Sequence, residues 1–132
     1  MKKYLLDSSI IIEALRVHLY KADEFLIDKY GNRICISIIS TTELFSGKST
    51  KEEAVFKYVE YLIRSFEIIE LSAKIAYEAG IIRRDFSTKI ADAIIAASAL
   101  ENNLTLVTHN QKDFIMIRDL KLKEPYKAIK ND

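Results

Sequence analysis

The chain has 132 residues, 49% of them apolar and 30% charged, with three Gly and one Pro. This is about one domain's worth of sequence. It is too apolar for intrinsic disorder and too poor in Gly and Pro for a collagen-like or low-complexity chain. Twenty Lys and Arg against nineteen Asp and Glu leave a net charge of +1. A protein that coats nucleic acid carries a strong positive excess, so any nucleic-acid contact here must be local.

With Cys35 alone, no internal disulfide can form, and a single Cys in a domain of ordinary size suits a reducing compartment. No apolar run approaches the ~18–20 residues of a membrane span. The apolar start is interrupted by Asp7, Glu13 and Arg16 and shows no cleavage signature, so it reads as a mature, cytoplasmic N-terminus. Internal repeats, linkers and low-complexity tracts are absent, and residues 1–132 read as one domain.

In chain order, Tyr4-Leu5-Leu6 is a short strand ending at Asp7-Ser8-Ser9, with a helix following to about Arg16. A second helix spans about Leu19 to Tyr30 and is stopped by Gly31-Asn32. Arg33–Ser37, rich in β-branched residues, reads as a strand, and Ser40–Phe45 as a helix closing at Gly47. Both Ser40-Thr41-Thr42-Glu43 and Thr50-x-x-Glu53 have the form of a capping box. The second opens a helix with Val55, Val59, Leu62, Ile63 and Phe66 on one stripe. Glu67–Leu71 is a strand, and Ser72 can cap a helix carrying Ile75, Ala76, Ala79 and Ile82. Ile90 to about Glu101 is a helix apolar nearly all round, hence buried. Leu104–Thr108 is a strand, and Ile115-Met116-Ile117 reads as a further short one. Strands separated by helical patterns predict an α/β fold with a central, largely parallel sheet flanked by helices.

Ligands of such sheets sit at the carboxyl ends of the strands, which directs attention to Asp7 and to Thr108-His109-Asn110. Asp7 could be a helix N-cap, Glu43 part of a capping box, and Asp113 a loop or cap acid. Asp92 is harder to explain structurally. Its helical neighbours Ile95 and Ala96 are apolar, and a buried carboxylate needs a cation or a favourable helix start beside it. If these acids meet in space they repel, unless a hard cation such as Mg²⁺ or Mn²⁺ neutralises them. Such sites serve phosphoryl hydrolysis.

Four segments carry a family likeness. Leu5-Leu6-Asp7-Ser8-Ser9-Ile10-Ile11, Thr42-Glu43-Leu44, the Ala91–Ala97 run around Asp92, and Leu106–Phe114 resemble the four motifs of PIN-domain nucleases. Their order and spacing are most similar to the VapC toxins of type II toxin–antitoxin systems. The resemblance implies a PIN-like three-layer fold and a Mg²⁺- or Mn²⁺-dependent endoribonuclease that cleaves RNA with a metal-activated water. By motif, Asp7, Glu43 and Asp92 match the metal-holding acids. The fourth position falls to Asn110 or Asp113, since the strand-proximal residue is an amide. Ser8 and Thr108 match hydroxyls that orient a ligand or water, and His109 is placed to contact phosphate. The likeness also implies a homodimer and a cognate VapB-type antitoxin. The competing readings are a PIN-like binding scaffold with a degenerate site and a receiver-like phosphoacceptor.

Other features read as structural. His18 is expected at the surface, Cys35 in the core, and most Tyr and Phe side chains on apolar stripes in the core. Gly80 is expected to permit close helix packing. The basic stretch Lys112, Arg118, Lys121, Lys123, Lys127 and Lys130 suits either a solvated surface or a binding face.

Overall fold

A computed structural model describes residues 3–128 of the chain; Lys130 lies outside them. The elements run β1 (Tyr4–Leu6), α1 (Ser8–His18), α2 (Ala22–Tyr30), β2 (Ile34–Ser37), α3 (Ile38–Phe45) and α4 (Glu53–Arg64). They continue as β3 (Glu67–Ile69), α5 (Ala73–Phe86), α6 (Ile90–Glu101), β4 (Thr105–Val107) and β5 (Lys121–Lys123). The strands form one sheet in the order β3-β2-β1-β4-β5, with every pairing parallel.

Alternation along the strands builds the two cores. Leu6, Ile36 and Val107 point to the side covered by α1, α2 and α4, where they meet Ile11, Leu26, Val59 and Leu62. Leu5, Cys35 and Leu106 point to the opposite side, against Ile75, Ile82, Ala93, Ile95 and Phe114. The strands are therefore apolar on both faces, as a covered parallel sheet requires. Helices on both sides of the sheet make the three layers expected.

The start and stop signals have mixed outcomes. Gly31, at φ 83°, ends α2 with its N–H bonded to the Ile27 carbonyl at 2.8 Å, a conformation that favours glycine. Ser72 caps α5 by accepting from the Ile75 N–H at 3.1 Å. The two capping boxes do not form. Helix α3 begins straight from β2, and Ser37 is its cap, accepting from the Ile39 N–H; Ser40 lies inside the helix. Thr50 sits in a short 3₁₀ turn, where its hydroxyl donates to the Gly47 and Phe45 carbonyls, while α4 starts at Glu53 with no side-chain cap. The apolar stripe of α4 is nevertheless buried as predicted.

Four other expectations need correction. Ile115–Ile117 forms turns rather than a strand, and the fifth strand is the charged Lys121–Lys123. His18 is half-buried rather than free at the surface: it stacks on Phe25 and its Nε2 lies 2.6 Å from the Ala128 carbonyl. Gly80 is not a close-packing glycine, because a Cβ added there would meet nothing within 4 Å. Tyr20, Tyr61, Tyr77 and Phe56 are exposed rather than core. Of the basic stretch, Lys121 donates to Asn103 at 3.0 Å and Lys123 lies over the Tyr126 ring. Among the described residues, no helix is long and apolar enough to cross a membrane.

Candidate active site

The strand order reverses between β1 and β4. β2 and β3 extend the sheet one way from β1, and β4 and β5 extend it the other. Chain segments leaving the two strands diverge there, opening a crevice at the carboxyl edge. Asp7 follows β1 and Thr108 follows β4, and the Asp7 N–H still reaches the Val107 carbonyl at 3.0 Å.

Asp7 stands at the N-cap position of α1, yet its side chain makes no capping bond. Its Oδ2 instead accepts from Thr108 Oγ1 at 2.8 Å and Ser9 Oγ at 3.2 Å. The capping role is thus given up, and the carboxylate is turned towards the strand ends. Thr108, completely buried, also accepts from the Asn110 N–H at 3.0 Å, which shapes the turn after β4. Gln111 closes the same turn by donating to the Thr108 and Lys123 carbonyls.

Glu43 comes from the last turn of α3 and accepts from Ser8 Oγ through Oε1 at 3.1 Å. Asp92 comes from the first turn of α6. Among the described residues it makes no ion pair and no side-chain hydrogen bond, so the cationic partner that a structural role would supply is not there. Asp113 lies in the 3₁₀ turn Gln111–Asp113 and is exposed.

These acids feel one another. Loss of hydration pushes the Glu43 carboxyl above its ordinary range; the Ser8 hydrogen bond opposes this, and the charges of Asp7 and Asp92 add to it. Glu43 is exposed as a residue, so that loss of hydration is partial. Asp92 is raised first by burial, then by Asp7 and Asp113, with only Lys89 pulling the other way. The four acids named from sequence therefore share one electrostatic neighbourhood, and each known hydrogen bond to Asp7 or Glu43 uses one oxygen. Asp7 Oδ1 and Glu43 Oε2 accept nothing among the described side chains.

The donor chemistry fits a hard divalent cation: uncompensated carboxylate oxygens, one amide nearby and no soft ligands. The Ser40, Thr41 and Thr88 hydroxyls, on the two helices that bring Glu43 and Asp92 or just before them, are buried without partners. The acids are not drawn into a finished cage, however. Among the described residues, no three His, Cys, Asp or Glu side chains meet closely enough to hold an ion.

His109 is not directed at the acids. Its Nε2 pairs with Glu13 Oε2 at 2.5 Å, and the other Glu13 oxygen accepts from the Ala128 N–H at 3.4 Å. Sequence reasoning missed Ser9 and this Glu13–His109 link. The first was signalled by the second hydroxyl after Asp7, a usual local partner for an Asp side chain. The second joins residues far apart in sequence and had no local signal.

The PIN domain family matches residues 4–120. The chain belongs to the PIN-domain family. It is 35% identical over 129 residues to the ribonuclease VapC2 of Rickettsia felis, covering 91% of this chain and 96% of that one. A toxin–antitoxin complex from Klebsiella pneumoniae contains a chain of the same fold, with a TM-score of 0.77 and 29% identity, covering 95% of this chain and 99% of that one. VapBC2 from Rickettsia felis, solved with a DNA fragment from its promoter, gives 0.76 and 32%, covering 93% and 98%.

Proposed function

We propose that this chain is a VapC-type toxin, an endoribonuclease that hydrolyses RNA phosphodiester bonds. The observation that carries the reading is the set of uncompensated carboxylates, Asp7, Glu43 and Asp92, at the switch point of a PIN-domain sheet. Relatives named as ribonucleases and neighbours solved as toxin–antitoxin complexes support it. Asp7, Glu43 and Asp92 would hold Mg²⁺ or Mn²⁺, with Asn110 or Asp113 at the fourth position. When bound, such an ion supplies an activated water and offsets charge on the phosphate oxygens.

The chain's own groups prepare that chemistry. Thr108 and Ser9 fix Asp7 through one oxygen, and Ser8 does the same for Glu43. These bonds hold the direction of both carboxylates, and the Ser8 bond favours the ionised Glu43. His109, tied to Glu13, steadies the turn that carries Asn110 and Asp113. A cognate VapB-type antitoxin and a homodimer complete the proposed assembly. An antitoxin Arg could occupy the acids as a cation does, because a guanidinium fork matches a carboxylate.

Cleavage of single-stranded RNA by rigorously purified protein tests the reading. Activity is expected with Mg²⁺ or Mn²⁺, to vanish in EDTA, and to fall by orders of magnitude in Asp92→Asn. Undiminished cleavage in chelator, or by Asp92→Asn, would refute it.

A further inference from the structure

An acidic crevice repels the polyanion it is proposed to cut. Affinity for RNA must therefore come from cations beside the acids, and with a net charge of +1 they have to be placed locally. A hollow of about 500 Å³ lies where α5 gives way to α6, lined by Gly80, Arg83, Arg84, Ser87 and Thr88. Ser87 adopts a left-handed conformation, φ 56° and ψ 33°, and its N–H closes α5 on the Arg83 carbonyl at 2.9 Å. This sharp reversal lets the last turn of α5 and the lead-in to α6 border one space. Gly80 leaves part of its wall open.

The polar groups here are unequally committed. Arg84 is held by Asp85 through two bonds, at 2.8 and 3.3 Å. Arg83 makes no ion pair among the described residues. Thr88 is only 9% exposed and its hydroxyl is itself buried, so Arg83 is the donor that the open hollow presents. The next residue, Lys89, is the N-cap of α6, whose first turn carries Asp92. The hollow thus adjoins the acid site through the few residues from Thr88 to Asp92.

We propose that this hollow is a subsite for a backbone phosphate of the RNA strand next to the one that is cut, bound by Arg83. The inference rests on the ribonuclease reading. A phosphodiester carries a single negative charge, which one uncommitted guanidinium balances and can bind with two parallel N–H donors. Such a contact reads no base sequence.

The test is equilibrium binding of a labelled single-stranded RNA to the full chain in EDTA, with the RNA checked intact afterwards. Arg83→Ala is expected to raise Kd about tenfold and to lower the slope of log K against log salt by about 0.7. Arg83→Lys should recover much of the loss. Arg64→Ala, which removes another exposed charge, at the end of α4, serves as the control and should change little. Melting curves identify any variant that fails to fold, in which case Arg83→Gln replaces it. Equal effects of Arg83→Ala and Arg64→Ala, or none from either, overturn the subsite, as does wild-type protein that binds no RNA. Metal-dependent cleavage with no Arg83 dependence of binding sinks the subsite alone. Arg83-dependent binding without any cleavage sinks the ribonuclease reading instead.

Discussion

The bond between Thr108 and Asp7 ties the ends of two strands that are 101 residues apart in sequence, and it can be weighed directly. Thr108 is fully buried, Asp7 is 6% exposed, and the hydroxyl–carboxylate distance is 2.8 Å. Replacing Thr108 by Val keeps the shape and removes the donor. A hydrogen bond to a charged group contributes about 1.5–3 kcal/mol, and breaking this one leaves Asp7 Oδ2 with only Ser9. For a chain of this size that corresponds to a fall in Tm of roughly 5–12 °C. Asp7→Ala removes the acceptor but also a charge that raises both Glu43 and Asp92, so its own effect is a sum of opposing parts. A double-mutant cycle separates them: in an Asp7→Ala background the Thr108→Val penalty should shrink by a coupling of about 1.5–3 kcal/mol, leaving the loss of the Asn110 N–H bond. Thermal or urea melts of the four proteins at neutral pH supply the measurement. Additive effects, with coupling below about 0.5 kcal/mol, would show that Thr108 does not hold an ionised Asp7.

Asp92→Asn removes an unpartnered, half-buried charge, so its stability in EDTA should equal or exceed the wild type's, while Mn²⁺ should stabilise the wild type by ~RT ln(1 + [L]/Kd) and the variant much less. A loss of about 3–5 kcal/mol with the wild-type Mn²⁺ response would instead mean that a buried partner had been stranded. Glu43 and Asp92 both titrate above their ordinary values of 4.5 and 3.8, so the folded state binds these protons more readily than the unfolded state. Their contribution is favourable in acid and is lost as pH rises through their folded-state titration. A Glu43→Gln/Asp92→Asn variant melted beside the wild type in EDTA should therefore match it near pH 4 and gain on it towards pH 7. Asp23 and Glu67, both lowered and so favourable at higher pH, cancel in that comparison. A gap that stays constant with pH would contradict the shared neighbourhood of the acids.

The two central strands were legible because Tyr4-Leu5-Leu6 and Leu104–Val107 are apolar on both faces and end abruptly at polar residues. The charged Lys121-Leu122-Lys123 was not, since an edge strand needs no apolar alternation and is protected by lysines. Ile115-Met116-Ile117 misleads for the converse reason: Ile115 is 73% exposed, and only Ile117 joins the core. The two capping boxes failed for different reasons. Ser37 reached α3 first because no loop separates it from β2, and the Thr50 hydroxyl was taken by carbonyls of its own turn. At the site, the acids could be named from their motifs. The pairing of Ser8 with Glu43, or of His109 with Glu13, is set by how α1 packs against α3 and the β4 end, which no local pattern encodes.

The site's chemistry follows from where the fold attaches its acids. Asp7, Glu43, Asp92 and Asp113 arrive on four separate segments: the end of β1, the end of α3, the start of α6 and the turn after β4. A shift in any one segment would disturb a packed layer, so the carboxylates cannot readily move apart to relieve repulsion. Protonation can relieve it, and Glu43 and Asp92 are both displaced in that direction. Two hydroxyls hold Asp7 in place, and its charge is one of the causes that raise the other two. Ser8 then orients Glu43 without neutralising it. One anchored carboxylate beside two that ionise reluctantly is an arrangement whose repulsion any arriving cation would relieve, whether a divalent ion or a guanidinium. The energy released by that relief is the same energy the fold spends on bringing the acids together.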